Sequence, residues 1–345
     1  PGVTAANRER WERWAVPLDT DVVEALLNEG RAFFTWCSGE AKENHGGLTG
    51  PITDLARNLI ESIRANAPGL LPAVVMVALD PEAEAAMRGT VRVVPSHLPL
   101  NSDTIFTMRW RLALTGVLLG MPTIVTDADV VVLGNPFQAV EGWDLEAMTD
   151  ALDPEATLWA SWVRAEEHLN TGFLSVAPTV SAGNLIADFL ECCSAPEVFG
   201  IPRDGMDQRV FNKFILDGMS AEEPSVVGRY QDQWLLGSRL ALRNATRVEG
   251  LPAGAAVVRA VDPQLWANGI HYFWRRSHLL GRTITPSVVH VNGVEPKEYF
   301  LRDRGLWWLD TPAWGTDRLL TYTHRPQPTL EKEFSQLVAA LEVAL

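Results

Sequence analysis

Short apolar runs alternate with helical stretches four times before residue 127, and that rhythm constrains the fold more than any other feature of the chain. Ala32-Phe-Phe-Thr-Trp-Cys37 is apolar almost throughout and bounded by Gly30 and Ser38-Gly39. Ala73 to Leu79 is a second such run, closed by Asp80-Pro81; Val91 to Val94 and Thr123 to Thr126 are the third and fourth. Runs this short, with no polar alternation, read as strands covered on both faces. Between them, Pro51 opens a helix that carries Leu55, Leu59, Ile60 and Ile63 on one face. A short helix follows Pro81, and Ser102 or Asp103 caps a long one from Thr104 to Leu119, ended by Gly120. Residues 1–30 read as a helical preamble. This alternation predicts an α/β fold with a mostly parallel, doubly wound sheet and helices on both faces.

After Pro136 the rhythm loosens. Leu158–Trp162, Gly172–Val176 and Val288–Asn292 read as strands; Ala182–Cys193, Asp207–Leu216 and Thr329–Leu345 read as helices. Residues 220–280 show no regular period and are rich in Arg, Gly and Trp. There is no internal repeat and no low-complexity tract.

Charge and cysteine remove several classes of function. The formal net charge of −14 sets the chain against long polyanions, so nucleic acid is not expected as a partner. The three cysteines, Cys37, Cys192 and Cys193, form neither a disulfide framework nor a Cys-x-x-Cys metal pattern. No run of about 18 apolar residues suggests a membrane span. The chain opens at Pro1 and carries one N-glycosylation triplet, Asn244-Ala-Thr246. Together these give the expectation of a lumenal protein with its anchor removed, a cytoplasmic one being the alternative. Thirteen tryptophans are a high count. Most serve packing, but Trp307-Trp308 and Trp266 to Trp274 are candidates for stacking on sugar rings.

Thr-Ile-Val-Thr-Asp127-Ala128-Asp129 is the strongest single motif. It sets two carboxylates at the carboxyl end of a central strand, where open α/β sheets bind ligands. Residues i and i+2 of extended chain share a side, and two carboxylates held together favour a hard divalent cation such as Mg²⁺ or Mn²⁺. By itself the motif also makes an ordinary turn. His290-Val-Asn292-Gly293 ends a second buried run, and a neutral imidazole could complete the coordination or sit satisfied in the core. Asn170-Thr171-Gly172-Phe173 suits close approach to a hydroxylated ligand, or a turn. Asp207-Gln208 opens a helix, where Asp207 either caps the helix or faces the reacting centre.

Taken in order, Asp127-Ala-Asp129, Asn170-Thr-Gly-Phe173, Asp207-Gln-Arg-Val-Phe-Asn212 and His290-Val-Asn-Gly293, with Lys297 and Gly305-Leu-Trp307 behind them, resemble the nucleotide-diphospho-sugar transferases. The nearest resemblance is to glycosyltransferase family seventy-seven, of GT-A fold, and it spans residues 30 to 310. It implies a single catalytic domain over residues 1–345. Residues 30–136 would be its nucleotide-binding half and 137–310 the donor-sugar and acceptor half, with 311–345 a C-terminal extension. It also implies a metal-dependent, retaining transferase that uses a UDP-sugar and acts on a glycan, protein or small-molecule hydroxyl, in the Golgi or secretory lumen.

Carried onto this sequence, Asp127, Asp129 and His290 are the metal ligands, Mn²⁺ or Mg²⁺. Asp127 also reaches the ribose. Thr35 and Trp36 lie where the uracil ring is held, and Arg109 or Arg111 lies near the phosphates or the donor sugar. Asn170, Thr171, Gly172, Asn292 and Gly293 line the donor, and Lys297 neutralises the diphosphate. Asp207 and Gln208 are the catalytic candidates. Val130 to Leu133 departs mildly from the family, which often has an aromatic residue there. Two other classes compete. A transferase-like fold could hold a sugar nucleotide or glycan without turnover. Asp127-Ala-Asp129-Val-Val131 also fits the haloacid-dehalogenase-like phosphatases, with Asp127 as nucleophile. Those enzymes place the motif on their first core strand, and here earlier strands precede it.

Overall fold

A computed structural model describes residues 3–39, 52–98, 102–150, 169–194, 207–220, 226–230, 233–235, 254–274, 285–292 and 297–309. The expected strand at 158–162 and the helix at 329–345 lie outside them. The chain divides into two compact units at Leu309/Asp310, and all described residues belong to the first.

The chain opens with α1 (Ala5–Glu12) and α2 (Thr20–Glu29), then β1 (Ala32–Cys37), α3 (Ile52–Asn66), β2 (Val74–Ala78), α4 (Pro81–Met87) and β3 (Arg92–Pro95). The next elements are α5 (Ser102–Leu118), β4 (Thr123–Thr126), β5 (Val130–Val132), β6 (Leu145–Thr149) and β7 (Leu169–Val176). Two helices follow, α6 (Val180–Ser194) and α7 (Asp207–Ser220). The described remainder holds β8 (Val226–Tyr230), β9 (Gln233–Leu235), β10 (Ala256–Ala260), β11 (Trp266–Asn268), a π-helical turn (Ile270–Trp274), β12 (Val288–His290) and α8 (Lys297–Asp303).

Local chemistry sets several ends. Asp80 accepts a hydrogen bond from Ala83 N, and Pro81 starts α4 without losing a needed donor. Gly120, at φ 72°, ends the long helix in the left-handed region that other residues avoid.

Among the described residues, nine strands form one sheet in the order β3-β2-β1-β4-β7-β6-β10-β8-β9. The half containing β3, β2, β1 and β4 is parallel throughout. β7 runs antiparallel to both its neighbours, and β9 antiparallel to β8. The α/β class with a mostly parallel sheet flanked by helices is therefore the one expected. The segment 220–280 is more regular than its sequence suggests, since β8 to β11 lie in it. β8 and β10 pair in parallel at the far side of the sheet, a long-range contact that leaves no local period to read.

The sheet separates two apolar layers, which explains why β1 lacks alternation. Phe34 and Trp36 join a layer containing Trp110 of α5, Phe189 of α6 and Phe211 of α7. Phe33 and Cys37 join the opposite layer with Ile60 of α3, Phe173 and Trp266. Trp110 lies 4.0 Å from Phe211 and 4.9 Å from Phe189, centroid to centroid. Full burial of each aromatic ring contributes roughly 1.5–3 kcal/mol.

Two features carry side chains to one place. The order β2-β1-β4 leaves a crevice beyond the carboxyl ends of β1 and β4, where Thr35 pairs with Thr126. A second sheet, β11-β12-β5, stands next to that crevice because β5 follows β4 after Asp127-Ala-Asp129. β12 pairs antiparallel with β5, setting His290 opposite Val130, and Val291 N donates to Asp129 O at 2.9 Å.

Candidate active site

The register between β6 and β7 jumps from Ala147↔Leu174 to Met148↔Asn170. The extra residues of β7, Thr171 to Phe173, bulge towards β4, where Asp127 N donates to Gly172 O at 2.8 Å. Bulges re-aim side chains at strand ends, and this one brings Asn170-Thr171-Gly172 against the Asp127-Ala-Asp129 turn.

Asp127, Asp129 and His290 converge. One ligand atom from each lies within 4.8 Å of the others, the only such group of His, Cys, Asp and Glu residues found among the described residues. His290 Nε2 is 3.3 Å from Asp129 Oδ1 and 3.8 Å from Asp127 Oδ2. Gly172 makes room for the imidazole, because a Cβ there would sit 2.0 Å from His290 Cε1. Two carboxylates and one imidazole form a donor set suited to Mn²⁺ or Mg²⁺, so the residues fit a divalent cation.

Two cations of the chain flank the carboxylates. Lys297, which opens α8, places Nζ 2.6 Å from Asp129 Oδ2. Burial pushes the Asp129 carboxyl up, but the charge and hydrogen bond of Lys297, joined by those of His290 when its ring is protonated, outweigh it and hold the group well below the ordinary carboxylate range. Arg109 of α5 approaches Asp127 at 3.2 Å and donates to Thr171 Oγ1 at 2.7 Å. Its guanidinium lies 5.3 Å from the ring of Trp36.

Of the two arginines read from the sequence, only Arg109 reaches this crevice. Arg111 instead donates to Trp14 O at 3.1 Å and lies 5.1 Å from the Trp14 ring; burial lowers its pKa. Two positions on a helix separate the residues by roughly 200°, so they face different neighbours. Thr35 is fully buried within the sheet and offers the crevice no exposed atom, whereas Trp36 keeps 8% of its surface.

The remaining candidates are largely engaged with the protein. Gln208 accepts from Thr171 N at 3.1 Å, and Asn212 pairs with both the N–H and the C=O of Leu169 at 2.9 Å. The Asp207-to-Asn212 motif thus docks α7 onto β7. Asp207 begins that helix, but its side chain, like all of Gly293, lies outside the described residues. Asn292 Oδ1 accepts from Gly269 N at 3.1 Å.

Sequence reasoning missed Asp150, which follows β6 directly. Its carboxylate accepts from the side-chain amides of Asn170, Gln208, Asn268 and Asn292 at 2.7–3.3 Å. No motif surrounds it. Its place at the carboxyl end of a strand, the same argument that singles out Asp127, is the signal available.

A family model matches residues 69–299, most of the chain: the nucleotide-diphospho-sugar transferases. The chain belongs to that family. The match covers Asp127, Asp129, Asn170, Gln208, His290 and Lys297 together. A search of curated protein sequences gives no match. Among solved structures, this transferase is similar to an active-site mutant of LgtC, with 12% identity and a TM-score of 0.43 over 82% of this chain and 98% of that one. It is also similar to mouse xyloside xylosyltransferase 1 in its apo form, with 12% identity and a TM-score of 0.41 over 76% of this chain and 98% of that one. No described helix of the transferase is long and apolar enough to cross a membrane.

Proposed function

We propose that this transferase moves a sugar from a UDP-sugar to a hydroxyl of a glycan, protein or small molecule, with retention of anomeric configuration. The observation that carries the proposal is the convergence of Asp127, Asp129 and His290 with Lys297 and Arg109 at the carboxyl end of β4. Uridine and retention are supported by the resemblance of the motif order.

Asp127, Asp129 and His290 would hold a divalent cation, Mn²⁺ or Mg²⁺, whose chemistry is to neutralise the donor diphosphate as its ester bond breaks. Lys297 adds a positive charge at the same place, and Arg109 orients Asp127 and Thr171. Trp36 presents its residual surface towards the base. As the anomeric C–O bond breaks, the electron pair goes to the departing phosphate. The acceptor oxygen bonds to the anomeric carbon on the face the phosphate leaves, and its proton passes to a phosphate oxygen. Asp207 would support the developing positive charge on the sugar. Gln208, with both ends of its amide engaged, contributes by holding Thr171 and Asp150 in place. The sequon at Asn244 supports a lumenal setting.

The test is thermal unfolding with UDP, ADP and GDP, each with Mn²⁺, Mg²⁺ or EDTA. A ligand that binds only the folded state, at a hundred times its dissociation constant, adds about 2.7 kcal/mol. A UDP-specific rise that vanishes in EDTA supports the proposal, and a UDP-sugar panel with product stereochemistry by NMR follows. No nucleotide-dependent shift refutes it.

A further inference from the structure

Asn170 was read from the sequence as a residue for the donor sugar. Its hydrogen bonds give it different work. Gly172 N lies 2.9 Å from one atom of the Asn170 amide, and a backbone N–H can only donate, so that atom is the oxygen. The other amide atom lies 3.0 Å and 3.2 Å from the two oxygens of Asp150, so it is the NH₂. These two contacts fix the orientation of the amide independently of each other. The oxygen so placed is 2.8 Å from His290 Nδ1. An amide oxygen accepts only, so Nδ1 carries a proton, and in the neutral ring Nε2 does not.

We infer that Asp150 and Asn170 form a relay that fixes the ring orientation and tautomer of His290, holding a bare Nε2 towards Asp127 and Asp129. This deepens the proposed function, because a bare Nε2 is the ligand a divalent cation requires; Asn170 is then a positioning residue. Such outer partners commonly change metal affinity by roughly 10–100-fold.

The relay is built into the fold by its anchor. Each of four amides joins Asp150 to one backbone N–H: Asn170 to Gly172, Gln208 to Thr171, Asn268 to His271 and Asn292 to Gly269. Those amides come from β7, α7, β11 and the residues after β12, so Asp150 ties both sheets and a helix to one carboxylate. Asp150 cannot shift without breaking bonds to amides that are themselves held to backbone, and Asn170 cannot shift without losing Gly172 N. The imidazole is fixed on its other side by the tight approach of Gly172.

The experiment is long-range ¹H–¹⁵N NMR of the full metal-free chain labelled in histidine, at a pH where imidazole is neutral. The His290 signals are assigned by their loss in His290→Gln. The expected result is the Nδ1–H tautomer in the wild type; an Nε2–H tautomer overturns the relay, with no variant needed. Asn170→Ala should move the ring towards Nε2–H and weaken Mn²⁺ binding by roughly 10–100-fold. A folded Asn170→Ala that keeps the wild-type tautomer overturns the inference. Gln208→Ala removes another donor to Asp150 without touching His290 and should leave the tautomer alone; an equal shift there would mean general loosening and would overturn the relay too. An Nδ1–H wild type that binds no Mn²⁺ leaves the relay standing and refutes the cation reading of the site.

Discussion

Replacing Gly172 with alanine should displace His290 and with it cation binding. The added Cβ would stand 2.0, 2.5 and 2.7 Å from Cε1, Nδ1 and Nε2 of the imidazole. Ordinary contact begins at about 3.4 Å, so ring or backbone must retreat by about 1.4 Å. The backbone is held on both sides, since Gly172 N donates to Asn170 and Gly172 O accepts from Asp127 N. The ring therefore moves. Ligand distances tolerate only about 0.2 Å of error, so the displaced imidazole no longer completes the set. Loss of a correctly placed ligand should lower Mn²⁺ affinity by at least the 10–100-fold typical of outer-partner changes, which is about 1.4–2.7 kcal/mol. Overpacking adds a stability cost of about 1–3 kcal/mol. Calorimetric titration of Mn²⁺ into the folded variant reads the first quantity, and thermal unfolding the second. Binding within about twofold of wild type, which is under 0.5 kcal/mol, would refute the steric argument.

Other expectations use different parts of the molecule. Arg109→Ala should weaken Mn²⁺-dependent UDP binding, whereas Arg111→Ala, two residues away, should leave it intact and lose about 1–2 kcal/mol of stability through Trp14, as read by denaturant unfolding. Burial pushes the Cys37 thiol from 9.0 up to about 12. The unfolded thiol ionises first as pH rises, so the folded state loses stability between about pH 9 and 12, at about 1.4 kcal/mol per unit. Cys37→Ala should remove that slope from unfolding free energies measured across alkaline pH. Glu146 is fully buried, where it pairs with Arg259 and accepts from the N–H groups of Glu141 and Gly142. Glu146→Ala leaves the two N–H groups without their acceptor and Arg259 with only Glu141 and Ala139 O, and should cost about 3 kcal/mol in urea unfolding.

The parts of the site legible in the sequence were those carried by a local pattern. Asp127 and Asp129 share a turn after an apolar strand, and strand ends are where such sheets bind ligands. His290 and Lys297 were found by motif order, and the structure sets both against Asp129. Roles that depend on which way a residue faces were not legible. Arg109 and Arg111 are alike on paper, and only the packing of α5 against β4 and the N-terminal segment separates them. Asn170 looked like a ligand contact because its amide could point anywhere; in the fold it points at His290.

The sequence alone determines the α/β class, because strands buried on both faces need apolar runs and the connecting helices need one apolar side. It also sets the carboxylates of Asp127 and Asp129 on one turn, and oxygen ligands of that kind are the ones a hard cation favours. The tertiary structure decided what distance in the chain conceals. β12 meets β5 across more than 150 residues of chain, and that pairing delivers His290 to Asp129. The bulge in β7 and the four amides gathered on Asp150 likewise arise from contacts between remote segments. Hydrogen bonds between residues far apart leave no period in a sequence, so Asp150 stood there without a signature until the sheets closed around it.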